Sequence, residues 1–369
     1  MIAGTIRDLL DQAGITVNGS KPWDIHVYDD QWYKRVWKEK SLGFGESYME
    51  GLWDCQRIDH MVCRLFKSDL VAQVRGSITY QMQFLAGILF NLQSRMRSRI
   101  VAERHYDLGN DLYFSFLDPY LQYSCAYFDD TDDLNEAQQK KLNLIAKKLA
   151  LKPSDTLMDI GSGWGGLARF MAEKQGCEVT GVNISKEQLK HSRELCRGLP
   201  VKFFDQDYRT VKGKYDKIVS VGMFEHVGQK NYRDYMNAVD SCLKDDGIFM
   251  LQTIGCNESK KTCDPWITKY IFPNGMLPSI SQVASSAEGL LNIQHLENLG
   301  PHYDRTLMAW HSNFQKAWPE LYRKNKKYDQ RFKRMWEFYL QSCAGGFRAG
   351  INQLWQIVMT KHLPERKSL

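Results

Sequence analysis

The sequence has no apolar run long enough to cross a bilayer. Its longest, FLAGILFNL from Phe84 to Leu92, is broken by Asn91 and falls well short of the roughly 20 residues a spanning helix needs. It also lacks any CxxC pair. Nine cysteines, an odd number, scatter at Cys55, Cys63, Cys125, Cys177, Cys196, Cys242, Cys256, Cys263 and Cys343, which reads as reduced usage and excludes a disulfide framework. The start, MIAGTIRDLLDQAG, lacks the apolar core and small-residue cleavage site of a secretory signal, so a cytoplasmic location is expected. No tract is repetitive, and 369 residues with 43% hydrophobic and 25% charged content suit a globular chain of two unequal domains. The formal charge of +6 suits an anionic partner, either nucleic acid or an acidic membrane surface.

Up to about Arg99 the pattern is mostly helical, with a strand candidate at DIHVY (Asp24 to Tyr28) and tryptophans at Trp23, Trp32, Trp37 and Trp53. GFGESYMEG, Gly43 to Gly51, has turn glycines at both ends. From Val71 to Arg99, apolar residues at helical spacing (Val74, Ile78, Met82, Leu85, Leu89) lead into RMRSR, predicting a long helix that joins two domains. Such a helix either packs in a core or lies on a phospholipid surface with its arginines at the headgroups. Near HYDLGNDLY a second regime begins. The strands TLMDIG, EVTGVNIS, VKFFDQDY and KIVSVGMF alternate with helices over 165–175 and 186–197, predicting βαβ units and a doubly wound α/β sheet. Ligands in such sheets bind at the carboxyl ends of the strands.

There the sequence reads LMDIGSGWGGLARF. Glycines between a strand and a helix allow a tight turn and let a nucleotide-like ligand approach the backbone at a helix N-terminus. Gly161, Gly163 and Gly166 match the dinucleotide pattern GxGxxG, but the next strand ends in Asn183, where a ribose-binding carboxylate belongs in that family. Asp159, two residues before the first glycine, makes the turn look like motif I of the class I S-adenosylmethionine-dependent methyltransferases.

In order along the chain come HYDLGNDLY, YSCAYF, MDIGSGWGG, GVNISKEQ, DYR, SVGMFEHVG, DPWITKYIFPNG, YDRTLMAW and CAGGFR. As a set, and over essentially the whole length, they closely resemble the cyclopropane-fatty-acyl-phospholipid synthases. These are bacterial enzymes that transfer the methyl of S-adenosylmethionine to a cis double bond in membrane lipids. The resemblance implies a class I Rossmann-like catalytic domain over 94–369. It also implies a smaller, mainly helical, lipid- or membrane-associating N-terminal domain with its linker helix over 1–93. Further implications are a homodimer acting transiently at the inner membrane face, an unsaturated phospholipid substrate, no nucleic-acid partner and no metal.

The resemblance further implies a bound bicarbonate that removes a proton from the delivered methyl. Carried over residue by residue, its pocket comprises Cys125, Glu225 with His226, Gln252, the backbone at Ile254, and Tyr303, with Cys343 as a further catalytic candidate. A histidine usually precedes TIG in the family; this chain has Gln252, whose amide donates hydrogen bonds but carries no charge. The cofactor residues implied are Tyr123, Ser124, Asp159, Gly161, Ser162, Gly163, Trp164, Gly165, Asn183, Ile184, Ser185, Gln188, Asp207 and Tyr208. Glycines would pass the methionine part, polar groups after the second strand would reach the ribose, and Asp207 would accept from the adenine amino group. Aromatic faces at Tyr123, Tyr127, Phe128, Phe224 and Tyr303 suit a developing carbocation, or equally a packed core.

On residue type, Cys125 reads as a polar pocket residue or a buried structural thiol, since no histidine or cation stands at a spacing that would activate it. Cys343, among small residues, suits tight packing. The basic, aromatic-interleaved RKNKKYDQRFKRMWEF (Arg323 to Phe338) is a solvated helix face, an anionic-lipid contact or, lacking any recognised module, a poor nucleic-acid binder. A methyltransferase of the same scaffold making methyl branches or methylating a small amine, and a scaffold protein with a decayed site, remain the competing functions.

Overall fold

The computed structural model describes residues 2–68, 109–260 and 263–361. The expected linker helix from Val71 to Arg99, and the expected domain border at residue 93, lie outside the described residues. The chain folds as two compact units. The first gathers residues from 1–90, 261–273 and 303–352; the second gathers 91–260, 274–302 and 353–369.

The first unit holds a two-residue antiparallel pair, β1 (His26–Val27) and β2 (Trp53–Asp54), among helices at Ile2–Gln12, Gln31–Met49, Ile58–Lys67, Pro265–Tyr270 and Gln330–Arg348. The GFGESYMEG stretch is not a turn at both ends. Gly43 and Gly45 sit inside the helix Gln31–Met49, and only Gly51 turns the chain, with φ 78°. The reason is close packing: a Cβ on Gly45 would lie 2.4 Å from the Trp266 ring. The same helix offers Glu46, a buried carboxylate that accepts from Lys269 Nζ (2.6 Å), Tyr270 Oη (2.7 Å) and Arg35 Nη2 (2.8 Å). Those three donors hold it well below the usual carboxylate range despite burial. In RKNKKYDQRFKRMWEF the aromatics go inward, with Trp336 fully buried, while Arg334 stacks on Tyr48 at 3.9 Å and donates to Trp53 O. Much of that stretch is therefore a packed face rather than a solvated one.

The second unit is built on a seven-stranded sheet. Its strands are β3 (Thr156–Ile160), β4 (Glu178–Asn183), β5 (Val201–Asp205), β6 (Tyr215–Val221), β7 (Leu243–Cys256), β8 (Asn292–Asn298) and β9 (Asn352–Thr360), in the order β5-β4-β3-β6-β7-β9-β8. The pairs β3–β4, β4–β5, β3–β6 and β6–β7 are parallel, as the strand–helix alternation predicts, and β8 pairs antiparallel with β9. Successive side chains leave opposite faces of a strand. Met158, Ile160, Ile218, Phe249 and Leu251 therefore join one core, while Leu157, Val179, Val219 and Met250 join a second core on the other face. Burying each such side chain contributes about 1.5–3 kcal/mol. The strand order reverses between β3 and β6, so a crevice opens there at the carboxyl ends of the strands. No helix among the described residues is long and apolar enough to cross a membrane.

Candidate functional site

Directly after β3 the chain turns through Gly161, Gly163 and Gly165, all left-handed (φ 83°, 53° and 87°), a conformation that costs other residues roughly 1–2 kcal/mol. A Cβ on Gly163 would meet nothing within 4 Å, so the turn is open on that side. Two buried polar atoms beside it, Asp159 Oδ2 and Ser162 Oγ, have no hydrogen-bond partner among the described residues. Leaving such atoms unmet costs about 1–3 kcal/mol each, which is the signature of a site completed by a polar ligand. Burial pushes the Asp159 carboxyl up to about 7, against the pull of the Lys141 ammonium. An amine-bearing, cationic cofactor fits this turn, because positive charge would stabilise the ionised form that burial disfavours.

YSCAYF runs as an irregular strap that is fastened to the helix Leu134–Lys148. Gln138 Nε2 donates to Ser124 O (2.9 Å), Tyr127 N donates to Ala137 O (3.0 Å), and Lys141 Nζ donates to Ser124 Oγ (3.1 Å) and Gln122 Oε1. Lys141 is fully buried, and desolvation brings its ammonium down to about 8. Tyr123 rests edge-on against Tyr113 at 5.1 Å; Trp164 packs on the same ring at 4.8 Å and donates to Asn110 Oδ1 at 2.9 Å. Gln138 and Lys141 escaped the sequence reading, and Asn110 and Tyr113, inside HYDLGNDLY, were given no role there. Gln138 and Lys141 did leave a signal, two polar residues three apart on the buried stripe of Leu134, Ala137, Leu142 and Ile145.

At the end of β4, Asn183 Nδ2 donates to Gly163 O (3.2 Å) and Gln188 Oε1 (2.9 Å), while its Oδ1 accepts from the backbone of Ile184 (2.8 Å) and Ser185 (3.2 Å). Ser185 then caps the helix Lys186–Leu195. One side chain thus fixes both the glycine turn and the loop after β4. After β5, Asp207 accepts a forked pair from Arg209, Nε to Oδ1 at 2.8 Å and Nη2 to Oδ2 at 2.6 Å, and Tyr208 packs on Tyr235 at 5.1 Å. Asp207 Oδ1 also accepts the Arg209 backbone N–H at 3.0 Å, so Arg209 orients this carboxylate through both side chain and backbone.

Across the crevice, the turn Phe224–His226 follows β6. A Cβ on Gly161 would come within 2.8 Å of Met223, so this turn adjoins the glycine turn. Glu225 is buried; its Oε1 accepts the Ile254 N–H at 2.6 Å, and its Oε2 has no hydrogen-bond partner among the described residues. Burial pushes this carboxyl up to about 7, and likewise drives the His226 imidazolium down to about 4. The Ile254 amide that the resemblance offers to an anion is therefore already engaged by Glu225. Gln252, on the same strand, accepts from Gln356 Nε2 at 2.8 Å. Cys125 is buried with its Sγ 3.2 Å from Ala126 O and 3.8 Å from Leu299 O, the geometry of a thiol donor rather than a thiolate. Tyr303 and Cys343 belong to the first unit. There the Tyr303 ring packs on Phe347 at 4.7 Å, and burial pushes the Cys343 thiol up to about 12, away from a reactive thiolate.

Residues 93–357 match the family model described as mycolic acid cyclopropane synthetase. The chain is 50% identical over 355 residues to the cyclopropane-fatty-acyl-phospholipid synthase of Escherichia coli K12, spanning 96% of this chain and 92% of that one. Among solved structures, a cyclopropane synthase of Mycobacterium tuberculosis superposes with TM-score 0.66 at 29% identity, covering 74% of this chain and all (100%) of its own. A mycolic acid cyclopropane synthase complexed with SAH and CTAB superposes with TM-score 0.64 at 32% identity over 71% of this chain and 98% of that one. With a sheet, a glycine turn and relatives that all agree, the chain belongs to the cyclopropane-fatty-acyl-phospholipid synthases, class I S-adenosylmethionine-dependent methyltransferases of the mycolic acid cyclopropane synthetase family.

Proposed function

We propose that the protein adds a methylene from S-adenosylmethionine across the cis double bond of unsaturated acyl chains in phospholipids, forming cyclopropane fatty acids, with bound bicarbonate as the base. One observation carries the reading. At the carboxyl ends of the adjacent strands β3 and β6 stand two buried carboxyl groups, Asp159 and Glu225, each with one oxygen lacking a partner among the described residues.

The cofactor supplies an electrophilic methyl. Asp159, Ser162 and the glycine turn would hold its methionine part, Asn183, Ser185 and Gln188 its ribose, and Asp207 its adenine amine. Tyr123, Ser124 and Trp164 would wall the turn and exclude water, which matters because an alkene is a weak nucleophile that must be held in near-attack geometry. As the methyl joins one alkene carbon, positive charge develops on the other, and nearby aromatic faces lower its cost. Bicarbonate, when bound, would supply a base for the delivered methyl: the proton would leave as carbonic acid and the C–H electron pair would close the ring. Glu225, neutral up to about pH 7, would donate from Oε2 to that anion, with the Gln252 amide as a second donor. Cys125 lines the pocket without forming a covalent bond, Ile254 acts by fixing Glu225, and Cys343 packs in the first unit.

The first unit, we infer, meets the membrane as a lipid-associating domain of a peripheral homodimer at the cytoplasmic face, where the formal charge of +6 suits anionic headgroups. The test is mass spectrometry of lipids after incubating the protein and S-adenosylmethionine with vesicles of an unsaturated phospholipid, with and without bicarbonate depletion. Gain of one methylene with loss of the alkene, sensitive to depletion, is expected. A methylated product that retains an alkene would instead assign branching, and the absence of any lipid product would overturn the lipid reading.

A further inference from the structure

Gln252, near the end of β7 and two residues before the Ile254 amide that Glu225 engages, begins a hydrogen-bonded chain that runs across the sheet. Its Oε1 accepts from Gln356 Nε2 at 2.8 Å, across the neighbouring strands β7 and β9, and both side chains are buried. Gln356 Oε1 in turn accepts from Lys148 Nζ at 2.6 Å, and Lys148 is ion-paired with Glu297 on β8. The elements that hold these groups are distant in sequence, with 104 positions between Gln252 and Gln356 and 208 between Lys148 and Gln356.

The direction of this chain is forced by its far end. An amide's oxygen and nitrogen are nearly the same size, so a glutamine fits either way round and only its partners decide. An ammonium has donors alone. Lys148 therefore claims the oxygen of Gln356, which turns the Gln356 nitrogen to Gln252, which in turn must present its own oxygen. The nitrogen of Gln252 is left for its other side. Without Lys148, both amides would be free to reverse, and Gln252 would turn its carbonyl oxygen, as readily as its N–H, to the side away from Gln356.

We propose that Lys148 and Gln356 are positioning residues that set the polarity of Gln252, so that a site without histidine at this position presents a hydrogen-bond donor to the carbonate-class anion. Glu297 holds Lys148 in place. The inference rests on the proposed bicarbonate reading.

The test is steady-state kinetics with vesicles of an unsaturated phospholipid, varying bicarbonate at saturating S-adenosylmethionine, for wild type, Gln356→Glu, Lys148→Met and Lys148→Arg. In Gln356→Glu the new carboxylate accepts from Lys148 but has no donor for Gln252, which must swing its nitrogen back and its oxygen forward. The bicarbonate KM is expected to rise about tenfold, the weight of one hydrogen bond to a charged acceptor, while kcat at saturating bicarbonate holds within roughly twofold. Lys148→Met should raise it less, and Lys148→Arg should restore the wild-type value. Calorimetric S-adenosylmethionine binding by each variant reports folding independently. A Gln356→Glu protein that binds S-adenosylmethionine normally and keeps the wild-type bicarbonate KM overturns the relay alone. A wild-type enzyme indifferent to bicarbonate overturns the anion reading and the relay with it.

Discussion

Replacing Asp159 by asparagine keeps the shape of the side chain and removes its charge. Its carboxyl titrates at about 7 because it is buried to 2% exposure at the end of β3, against an ordinary value of 3.8. A rise of about 3 units means that folding holds the proton by up to about 4 kcal/mol, at roughly 1.36 kcal/mol per unit. The sign follows from linkage. The folded state binds the proton more tightly than the unfolded one, so this contribution is complete below pH 3.8 and is lost as pH rises toward about 7. Without cofactor, wild type should therefore lose stability relative to Asp159→Asn between those limits. With S-adenosylmethionine the order should reverse. The cationic ligand stabilises the carboxylate, and losing a charge-assisted hydrogen bond of about 1.5–3 kcal/mol weakens binding roughly 10- to 100-fold. Thermal unfolding and calorimetric binding from pH 5 to 8 measure both. If the variant binds S-adenosylmethionine as tightly as wild type at pH 8, the unmet Asp159 oxygen has no part in holding the cofactor.

Glu225→Gln keeps the neutral donor, so activity near pH 6.5 should stay within about tenfold of wild type, the scale of a single hydrogen bond. Ionisation of Glu225 above about pH 7 should raise the wild-type bicarbonate KM but not that of the variant, and parallel pH profiles would contradict the donor role. Lys141→Met strands Gln122 Oε1 and loosens Ser124, so unfolding should occur about 1–3 kcal/mol earlier and the S-adenosylmethionine KM should rise, checked by denaturant titration and initial rates. Cys125→Ala should retain turnover, with no covalent adduct in intact-protein mass spectra; complete inactivation with cofactor binding preserved would restore a nucleophilic role.

The parallel sheet was legible because β3, β4, β5 and β6 announce themselves as apolar runs between helix-length segments. The glycine turn after β3 was legible because glycine adopts its left-handed backbone without the penalty that a Cβ brings. The engagement of the Ile254 amide by Glu225, and of Gln252 by Gln356, was not legible, since strands 29 and 104 residues apart supply the partners and no local pattern reports such pairings. Gly43 and Gly45 misled for a related reason. Glycine marks either a turn or a place where something large comes close, and Trp266 lies more than two hundred positions downstream of Gly45. In RKNKKYDQRFKRMWEF the charge density hid an inward face, because arginine stacks on rings as readily as it meets water.

The first unit has a history as well as a shape. Buried Asp59 is held by Arg57 and by Arg348, and the second of these lies 289 residues later in the chain. At about 5–20 residues per second, a ribosome needs roughly 15–60 s to travel between them. Throughout that interval Trp32, Trp53 and Asp59 exist without the helix Gln330–Arg348 that covers this unit's core, and the second unit's strands β3 to β7 emerge before that helix does. The part of the protein that is made first thus waits for nearly the whole chain, and among the described elements only β9, which completes the second unit's sheet, follows the helix that covers it.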